Sequence, residues 1–319
     1  MAAFTNRPYA GDADLQAMID LLVVARPSGH IADYPGIVDL REMLETAETQ
    51  ANTSLWRDGD GQLVGFAIVH PAHGNLIFEI AQARDGDLAA QMVAWSVERV
   101  RNARRESEEP ASLQMSCRDD NLGRVALLEQ LGFVRQEQYT LHFARALSDP
   151  VPEPQVPEGF GIRHLAGEHE VEAHVALHRA AYGTENMTVE ERLSWMHTPG
   201  YDPELDLVAV APDGALAAYV FCSISEEENA LIGRKDGYTD PVATHPAFQR
   251  RGLARALLLT GFRLLKQRGV ETARMSTGSW NVAMQRAARS VGYRAASKTI
   301  FFEKPVLQDA SGVTRGSIR

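Results

Sequence analysis

The stretch that decides the fold of this chain is DPVATHPAFQRRGLA, residues 240–254. Val242, Ala243 and Thr244 predict the end of a β-strand, because Pro246 follows shortly and proline cannot donate to a strand ladder. From about residue 251 to residue 268 the apolar positions recur at helical spacing. Gly269 stands where the C-terminal cap of this helix is expected. The stretch therefore predicts a strand, a short basic loop and a helix.

This loop predicts an anion site at the start of the helix. The first N–H groups of a helix have no internal partner, and the helix dipole adds partial positive charge to them. Small residues, Gly252 and Ala254, let a phosphate approach the backbone, and Arg250 and Arg251 add charge at the rim. The expected ligand is a diphosphate held by backbone amides.

The loop also carries a resemblance to a known family. Gln249-Arg250-Arg251-Gly252-Leu253-Ala254 resembles the coenzyme A signature of the GNAT superfamily of N-acetyltransferases, Gln/Arg-x-x-Gly-x-Gly/Ala. A second strand at 272–277, Asn281 and the pair Gly292-Tyr293 follow it in the order typical of that family. The chain has neither a Walker loop nor a GxGxxG dinucleotide motif. Over residues 160–305 the resemblance implies an α/β fold and acetyl-CoA as cosubstrate.

The chain is predicted to contain two such units in tandem, each a mixed, mostly antiparallel sheet flanked by helices. Four prolines between Pro150 and Pro157 predict an extended linker over residues 149–159. It separates a domain at 1–148 from one at 160–306, and residues 307–319 are expected to form a flexible tail. An Asn precedes a Gly-aromatic pair by 11 residues in both halves, at Asn121/Gly132 and Asn281/Gly292. This spacing suggests duplication of one α/β unit.

The N-terminal unit is expected to have lost the binding chemistry. Ala83-Arg84-Asp85-Gly86-Asp87-Leu88 aligns with the basic loop, and Gly86 corresponds to Gly252. Asp85 and Asp87 flank that glycine, and carboxylates at a helix start repel a diphosphate. We therefore predict a degenerate first unit that does not bind acetyl-CoA.

The resemblance implies direct attack of an amine on the thioester within a ternary complex. It implies that the backbone of Val242, Ala243 and Thr244 pairs with the pantetheine arm, with one N–H polarising the thioester carbonyl. It also implies that Asn281 bonds the pantetheine amides. A helix N-cap is the alternative role for Asn281, and one residue can serve both.

Asp240 is the candidate general base, nine residues before Gln249 on the strand that leads to the loop. A buried carboxylate there would have a raised pKa suited to proton removal. The alternative is a strand-end Asp that accepts backbone N–H bonds. Glu226, Glu227 and Glu228 are the next candidates, and a solvated turn is the alternative for them.

The sequence departs from the family pattern at the general acid. A tyrosine seven residues after the motif Asn is typical, but this chain has Ala288 there and Leu128 in the first half. Tyr293 is nearby in sequence but is expected to pack in the core. The leading interpretation is an acetyltransferase acting on a primary amine of a small molecule or peptide. A non-catalytic acyl-CoA sensor or scaffold is the alternative from another class.

Composition narrows the partners further. A net charge of -10 argues against nucleic-acid binding, and no apolar run approaches the ~20 residues of a membrane span. We expect a cytoplasmic protein that contacts neither nucleic acid nor membrane, and the sequence is compatible with an oligomer.

Cys117 and Cys222 are expected to be reduced, buried thiols. A histidine cluster lacks a metal-binding pattern, so no metal is expected; it comprises His164, His169, His174 and His178.

Overall fold

The computed structural model describes residues 4–31, 33–81, 86–105, 110–198 and 200–306. The chain divides into two compact units. Unit 1 comprises Met1–Tyr139 with Thr299–Arg319, and unit 2 comprises Thr140–Lys298. The predicted tail, 307–319, lies outside the described residues.

In the first half, one strand is followed by three helices and three strands, and helices and strands alternate after these. The elements are β1 (Thr5–Pro8), α1 (Asp12–Ala25), α2 (Ile37–Met43), α3 (Ala47–Ala51), β2 (Thr53–Arg57), β3 (Leu63–His70), β4 (Asn75–Ile80), α4 (Asp87–Ala103), β5 (Ala111–Arg118), α5 (Leu122–Gln130) and β6 (Val134–Ala146).

The second half follows a similar plan, but it has two helices rather than three after its first strand, and one further helix and one further strand come before the basic loop. Its elements are β7 (Gly161–His164), α6 (Val171–Tyr182), α7 (Val189–Met196), β8 (Asp206–Val210), β9 (Leu216–Phe221), α8 (Glu226–Ile232), β10 (Asp236–Tyr238), β11 (Val242–Thr244), α9 (Leu253–Gln267), β12 (Thr272–Gly278), α10 (Val282–Ser290) and β13 (Arg294–Val306).

Unit 1 is built on the sheet β1–β2–β3–β4–β5, and residues 299–306 of β13 complete it against β5. All of these pairings are antiparallel except β4 with β5, whose register contains the single pair Asn75↔Gln114. The core lies between this sheet and α4, where Met92, Leu113 and Phe302 are almost fully buried. The last strand of the chain thus belongs to the core of the first unit.

Unit 2 contains two groups of strands. β10 pairs in parallel with β12, and β12 pairs antiparallel with residues 140–146 of β6. The other group is the antiparallel sheet β11–β9–β8–β7. Helix α9 buries one face that includes Leu257 and Phe262, both 0% exposed. This face holds the helix against the sheet and aims its first turn at the end of β11.

The predicted domain boundaries differ from these units in two respects: residues 140–159 lie in unit 2, and residues 299–306 lie in unit 1. The proline-rich segment 149–159 has no helix or strand, but it lies inside unit 2 and follows a strand of that unit. Arg145 on β6 donates to Pro150 C=O at 2.8 Å and also to Val291 C=O. A strand joins whichever sheet edge its backbone pairs with, regardless of the half of the chain that it comes from. The position of the linker in the sequence therefore does not mark the boundary between the units.

Within the ranges described above, no helix is long and apolar enough to cross a bilayer.

Candidate active site

The candidate site lies where two strands of unit 2 separate. β10 pairs with β12 as far as Tyr238↔Arg274, and Thr239 N–H still donates to Arg274 C=O at 2.9 Å. Beyond Asp240 the chain pairs as β11 with β9 instead. Because β12 continues to Gly278, a gap opens between β11 and the end of β12.

The β11 register decides which backbone groups face this gap. Phe221 N–H donates to Pro241 C=O at 3.1 Å, and His245 N–H donates to Ala217 C=O at 2.9 Å. Backbone groups alternate in direction along an antiparallel strand. Ala243 therefore directs its N–H and C=O to β9. These backbone groups bond within the sheet, so they are not available for the predicted contact with pantetheine.

Val242 and Thr244 direct their backbone groups into the gap. The Tyr182 hydroxyl donates to Val242 C=O at 3.3 Å, and the Gln249 side-chain amide donates to Thr244 C=O at 3.4 Å. In the part of the chain that the structure describes, the N–H groups of these two strand residues have no partner. The edge is thus able to pair with an extended ligand.

Asp240 lies at the start of this edge. Its carboxylate accepts a hydrogen bond from Ser276 N–H on β12 at 3.1 Å. The side chain keeps part of its surface exposed although it is densely surrounded by protein. Burial raises the pKa of Asp240 to about 6, and the Ser276 N–H opposes that rise. The carboxylate therefore takes the alternative role weighed for it, as acceptor of a backbone hydrogen bond, and the role of general base stays a prediction.

The basic loop has the geometry of an anion site. Arg250 and Gly252 both have positive φ, 64° and 88°, and Gly252 is the N-cap of α9. A Cβ at Gly252 would meet nothing within 4 Å, and residues 249–252 are all exposed. The N–H groups at 253–255 form the first helical turn and have no partner four residues earlier. Leu253 itself is buried beneath the loop, and Ala254 is half-buried.

Arg251 is the loop arginine that lies over aromatic rings. Its guanidinium lies 5.8 Å from the ring centroids of Phe160 and Phe248, which themselves make an edge-to-face contact at 5.9 Å. Stacking orients the guanidinium without consuming its N–H donors. The donors therefore remain available at the mouth of the loop.

Three side chains that the sequence did not identify as a group meet beside the β11 edge. His178 and Tyr182 are one turn apart on α6, with ring centroids 4.5 Å apart. His178 Nδ1 lies 2.6 Å from the hydroxyl of Tyr219 on β9. The spacing of i and i+4 on a predicted helix was a usable signal for the first two residues. Tyr219 comes from a separate strand, and no local pattern connects it to them.

The segment after β12 is placed as follows. The Asn281 side chain accepts a hydrogen bond from Met284 N–H at 3.0 Å and so caps α10, which is the alternative role weighed for it. Ala288 is 0% exposed and Tyr293 is 2% exposed. The Tyr293 hydroxyl is occupied by Thr239 at 2.6 Å and by Arg274 C=O at 3.2 Å. Neither position 288 nor Tyr293 therefore supplies an acid to the gap.

The remaining candidates are the acidic residues before β10, the histidines and the two thiols. Glu226, Glu227 and Glu228 form the first turn of α8 rather than a loop. Among the described residues, no group of three or more His, Cys, Asp or Glu is arranged to hold a metal ion. Cys117 and Cys222 are free thiols, and burial raises the pKa of both, that of Cys117 to about 11. Such thiols are poor nucleophiles at neutral pH.

In unit 1 the corresponding gap is occupied by the protein itself. After Asn75↔Gln114 no further pairing joins β4 to β5 within the described chain. Arg124 on α5 donates to Phe78 C=O at 2.6 Å, and its guanidinium lies 3.8 Å from the centroid of the Phe78 ring. Met284 holds the equivalent place in unit 2, three residues after the capping Asn. Gly86 caps α4 with a φ of 95°, whereas Ala83, Arg84 and Asp85 lie outside the described residues.

Comparison with known proteins gives a consistent result. Residues 171–293 match the Acetyltransferase (GNAT) family. The chain is similar to mycothiol acetyltransferase of Nocardia farcinica, at 26% identity over 92% of this chain and 94% of that protein. It is also similar to mycothiol acetyltransferase of Saccharomonospora viridis, at 24% identity over 76% of this chain and 74% of that protein.

Two solved structures share the fold over nearly the whole chain. One is a GCN5-related N-acetyltransferase from Sphaerobacter thermophilus, with a TM-score of 0.73, 22% identity and coverage of 95% of this chain and 96% of that chain. The other is a tandem GNAT protein from the clavulanic acid biosynthesis pathway, with a TM-score of 0.70, 16% identity and coverage of 96% and 99%.

Proposed function

Since residues 171–293 form a GNAT acetyltransferase domain within a tandem GNAT fold, we propose that the chain transfers an acetyl group from acetyl-CoA to a primary amine. The acceptor is a small molecule or peptide, and its amine attacks the thioester directly in a ternary complex. The observation that carries the proposal is the unpaired β11 edge. It runs from the Asp240 carboxylate to the amino terminus of α9.

The pyrophosphate of coenzyme A binds at the loop of residues 249–254. Positive φ at Arg250 and Gly252 turns successive backbone amides toward the outside, which makes a concave set of donors. The first turn of α9 adds its free N–H groups and the positive end of the helix dipole. Arg251 contributes charge from a guanidinium already oriented by two aromatic rings.

The pantetheine arm lies along β11. The N–H groups of Val242 and Thr244 point into the gap and pair with the pantetheine carbonyls or the thioester carbonyl. With the pyrophosphate at the α9 end, the thioester reaches the Asp240 end of the edge. Donor and base are thereby brought to the same end of one strand.

Asp240 accepts the proton of the attacking amine. A pKa of about 6 leaves this carboxylate ionised at neutral pH and still basic enough to take a proton. The acceptor enters from the side of α6, where His178 and Tyr182 line the approach. We infer no single acceptor from these groups.

The first experiment is calorimetric titration of the intact chain with acetyl-CoA. Gly252→Glu places a carboxylate among the loop amides and should lower the affinity by about 100-fold or more. Gly86→Glu is the matched control, since Gly86 is also an exposed, positive-φ N-cap glycine with open space around its Cβ position. It should leave binding unchanged, with about one equivalent per chain. Equal losses in both variants, or no binding at all, would overturn the site.

Release of coenzyme A thiol then separates an enzyme from a sensor. The acceptor panel contains amino sugars, polyamines, amino-acid derivatives, peptides and the unacetylated form of mycothiol. The last is included because of the names of the curated relatives. Amine-dependent thiol release with formation of the acetylamide supports the enzyme. Tight acetyl-CoA binding without thiol release from any acceptor supports an acyl-CoA sensor or scaffold.

A further inference from the structure

The proposed reaction needs a proton donor for the leaving thiolate. Position 288 offers none, because Ala288 is 0% exposed and carries no donor. We propose that the Tyr182 hydroxyl is this donor, and that Tyr219 and His178 form the relay that restores its proton. This assignment rests on the proposed function.

The position of Tyr182 is the first observation. It is the last residue of α6, and its hydroxyl lies 3.3 Å from Val242 C=O on the free edge of β11. Val242 is at the Asp240 end of that edge, where the thioester is proposed to lie. The ring is 48% exposed, so a bound ligand can reach it. The hydroxyl can exchange the Val242 carbonyl for a sulfur atom beside it by a small rotation.

The second observation is the chain of hydrogen bonds behind Tyr182. The hydroxyls of Tyr182 and Tyr219 interact directly, and Tyr219 Oη lies 2.6 Å from His178 Nδ1. Tyr219 is 0% exposed, whereas His178 is half-buried. The chain thus leads from solvent at the imidazole, through a buried phenol, to the β11 edge.

The donation of the Tyr182 O–H to Val242 C=O fixes the direction of the relay. His178 Nδ1–H donates to Tyr219, Tyr219 O–H donates to Tyr182, and Tyr182 O–H is left to donate into the gap. Burial raises the pKa of both tyrosines, and the Asp240 carboxylate raises that of Tyr182 further. Both phenols are therefore protonated at neutral pH. An acid is useful only in that form.

These groups and solvent account for every bond and proton in the transfer step. The amine nitrogen bonds to the acetyl carbon and loses a proton to Asp240. The carbon–sulfur bond breaks, its electron pair stays on sulfur, and the sulfur takes the Tyr182 proton. The Tyr182 phenolate then takes a proton from Tyr219, which is replenished through His178 from solvent.

The test combines two substitutions with two acyl donors. Tyr182→Phe should slow single-turnover acetyl transfer from acetyl-CoA by about 100-fold, the lower range for losing a general acid. The same variant should lose far less with acetyl-selenocoenzyme A, because a selenolate leaves without being protonated. Affinity for acetyl-CoA should stay within about threefold, which also verifies folding. Tyr9→Phe removes a hydroxyl from unit 1 and should change nothing.

The relay is tested in the same assay. Tyr219→Phe should slow transfer from acetyl-CoA by about tenfold, since Tyr219 is a positioning residue that acts through Tyr182. In the Tyr182→Phe background it should cost nothing further. Additive losses would overturn the relay.

The remaining outcomes each decide between the proposals. Equal losses with both donors, or no loss in Tyr182→Phe, would overturn the acid role while the acetyltransferase stands. Acetyl-CoA binding without thiol release by the unsubstituted chain would overturn the reaction and the acid role together.

Discussion

The Asp240 carboxylate accepts a hydrogen bond from the Ser276 backbone N–H at 3.1 Å, just beyond the last residue pair of β10 with β12. The parallel register of β10 and β12, extended by two residues, brings these two residues side by side. A carbonyl would occupy this place in a continuous sheet. Here the Asp240 side chain takes the place of that carbonyl. The separation of the strands therefore opens the gap and also buries a carboxylate beside the gap.

Asp240→Asn should lower the rate of acetyl transfer at pH 7.5 by 10²-fold or more, because the amide cannot take a proton. The rate of the unsubstituted enzyme should rise as the pH passes about 6, the pKa of Asp240, and this limb should vanish in the variant. The pH dependence of kcat/KM measures both effects. Acetyl-CoA affinity is the control and should hold. If the rise in rate near pH 6 persisted in Asp240→Asn, that rise would come from the titration of another group.

The same substitution should stabilise the fold above pH 6. Burial raises the pKa of Asp240 from 3.8 to about 6, so the folded chain binds this proton more tightly than the unfolded chain does. Its contribution to stability is fully present below pH 3.8 and is lost as the pH rises through 6. Thermal unfolding should show a higher Tm for Asp240→Asn at pH 8 and no gain at pH 3.5. A lower Tm at pH 8 would mean that the Ser276 hydrogen bond outweighs desolvation.

Arg124→Met should destabilise unit 1 by about 1–2 kcal/mol, because Phe78 C=O loses its donor and the ring loses the guanidinium. Urea unfolding measures the loss. Arg99→Met is the matched control, since Arg99 makes a longer contact of 5.1 Å with the Trp95 ring at an exposed site. Acetyl-CoA stoichiometry should remain about one. A second equivalent in Arg124→Met would reveal a latent site in unit 1.

Asp206→Ala should destabilise unit 2 by about 3–5 kcal/mol, because Arg192 is 1% exposed and would be left as an unpaired buried charge. Tyr201 would also lose its 2.8 Å hydrogen bond to this carboxylate. The control is Glu271→Ala, which removes an exposed pair with Lys235 and should change stability by less than about 0.5 kcal/mol. Similar losses in the two variants, measured in urea, would contradict the expectation.

Fragments of the chain should show whether unit 2 needs residues 140–146 of β6 in order to fold. A fragment of residues 140–298 keeps the β6 residues that pair with β12, whereas 149–298 leaves that edge of β12 bare. The longer fragment should be monodisperse and give dispersed amide NMR signals, and the shorter one should aggregate. A well-folded 149–298 fragment would show that this strand is dispensable.

Much of the site was predictable because its signals are local. Gly252 at a helix start and Asn281 three residues before the amide it caps both depend on neighbours in sequence. The tandem repeat followed from the Asn-to-Gly spacing in the two halves, and the mixed α/β architecture was implied by the resemblance of the loop to its family. The degenerate first unit remains a prediction, and its occupied gap adds a physical reason for it.

The tertiary structure alone decided the rest. Tyr182 meets Val242 across 60 residues, Arg192 meets Asp206 in the interior, and β6 and β13 each contribute to both units. Such pairings depend on which sheet edge and which cavity are left unfilled once the whole chain has packed. The residues 240–254 determined on their own that a strand, a basic loop and a helix would follow one another. Which side chains surround that strand was decided by burial and backbone pairing between segments that no sequence window contains.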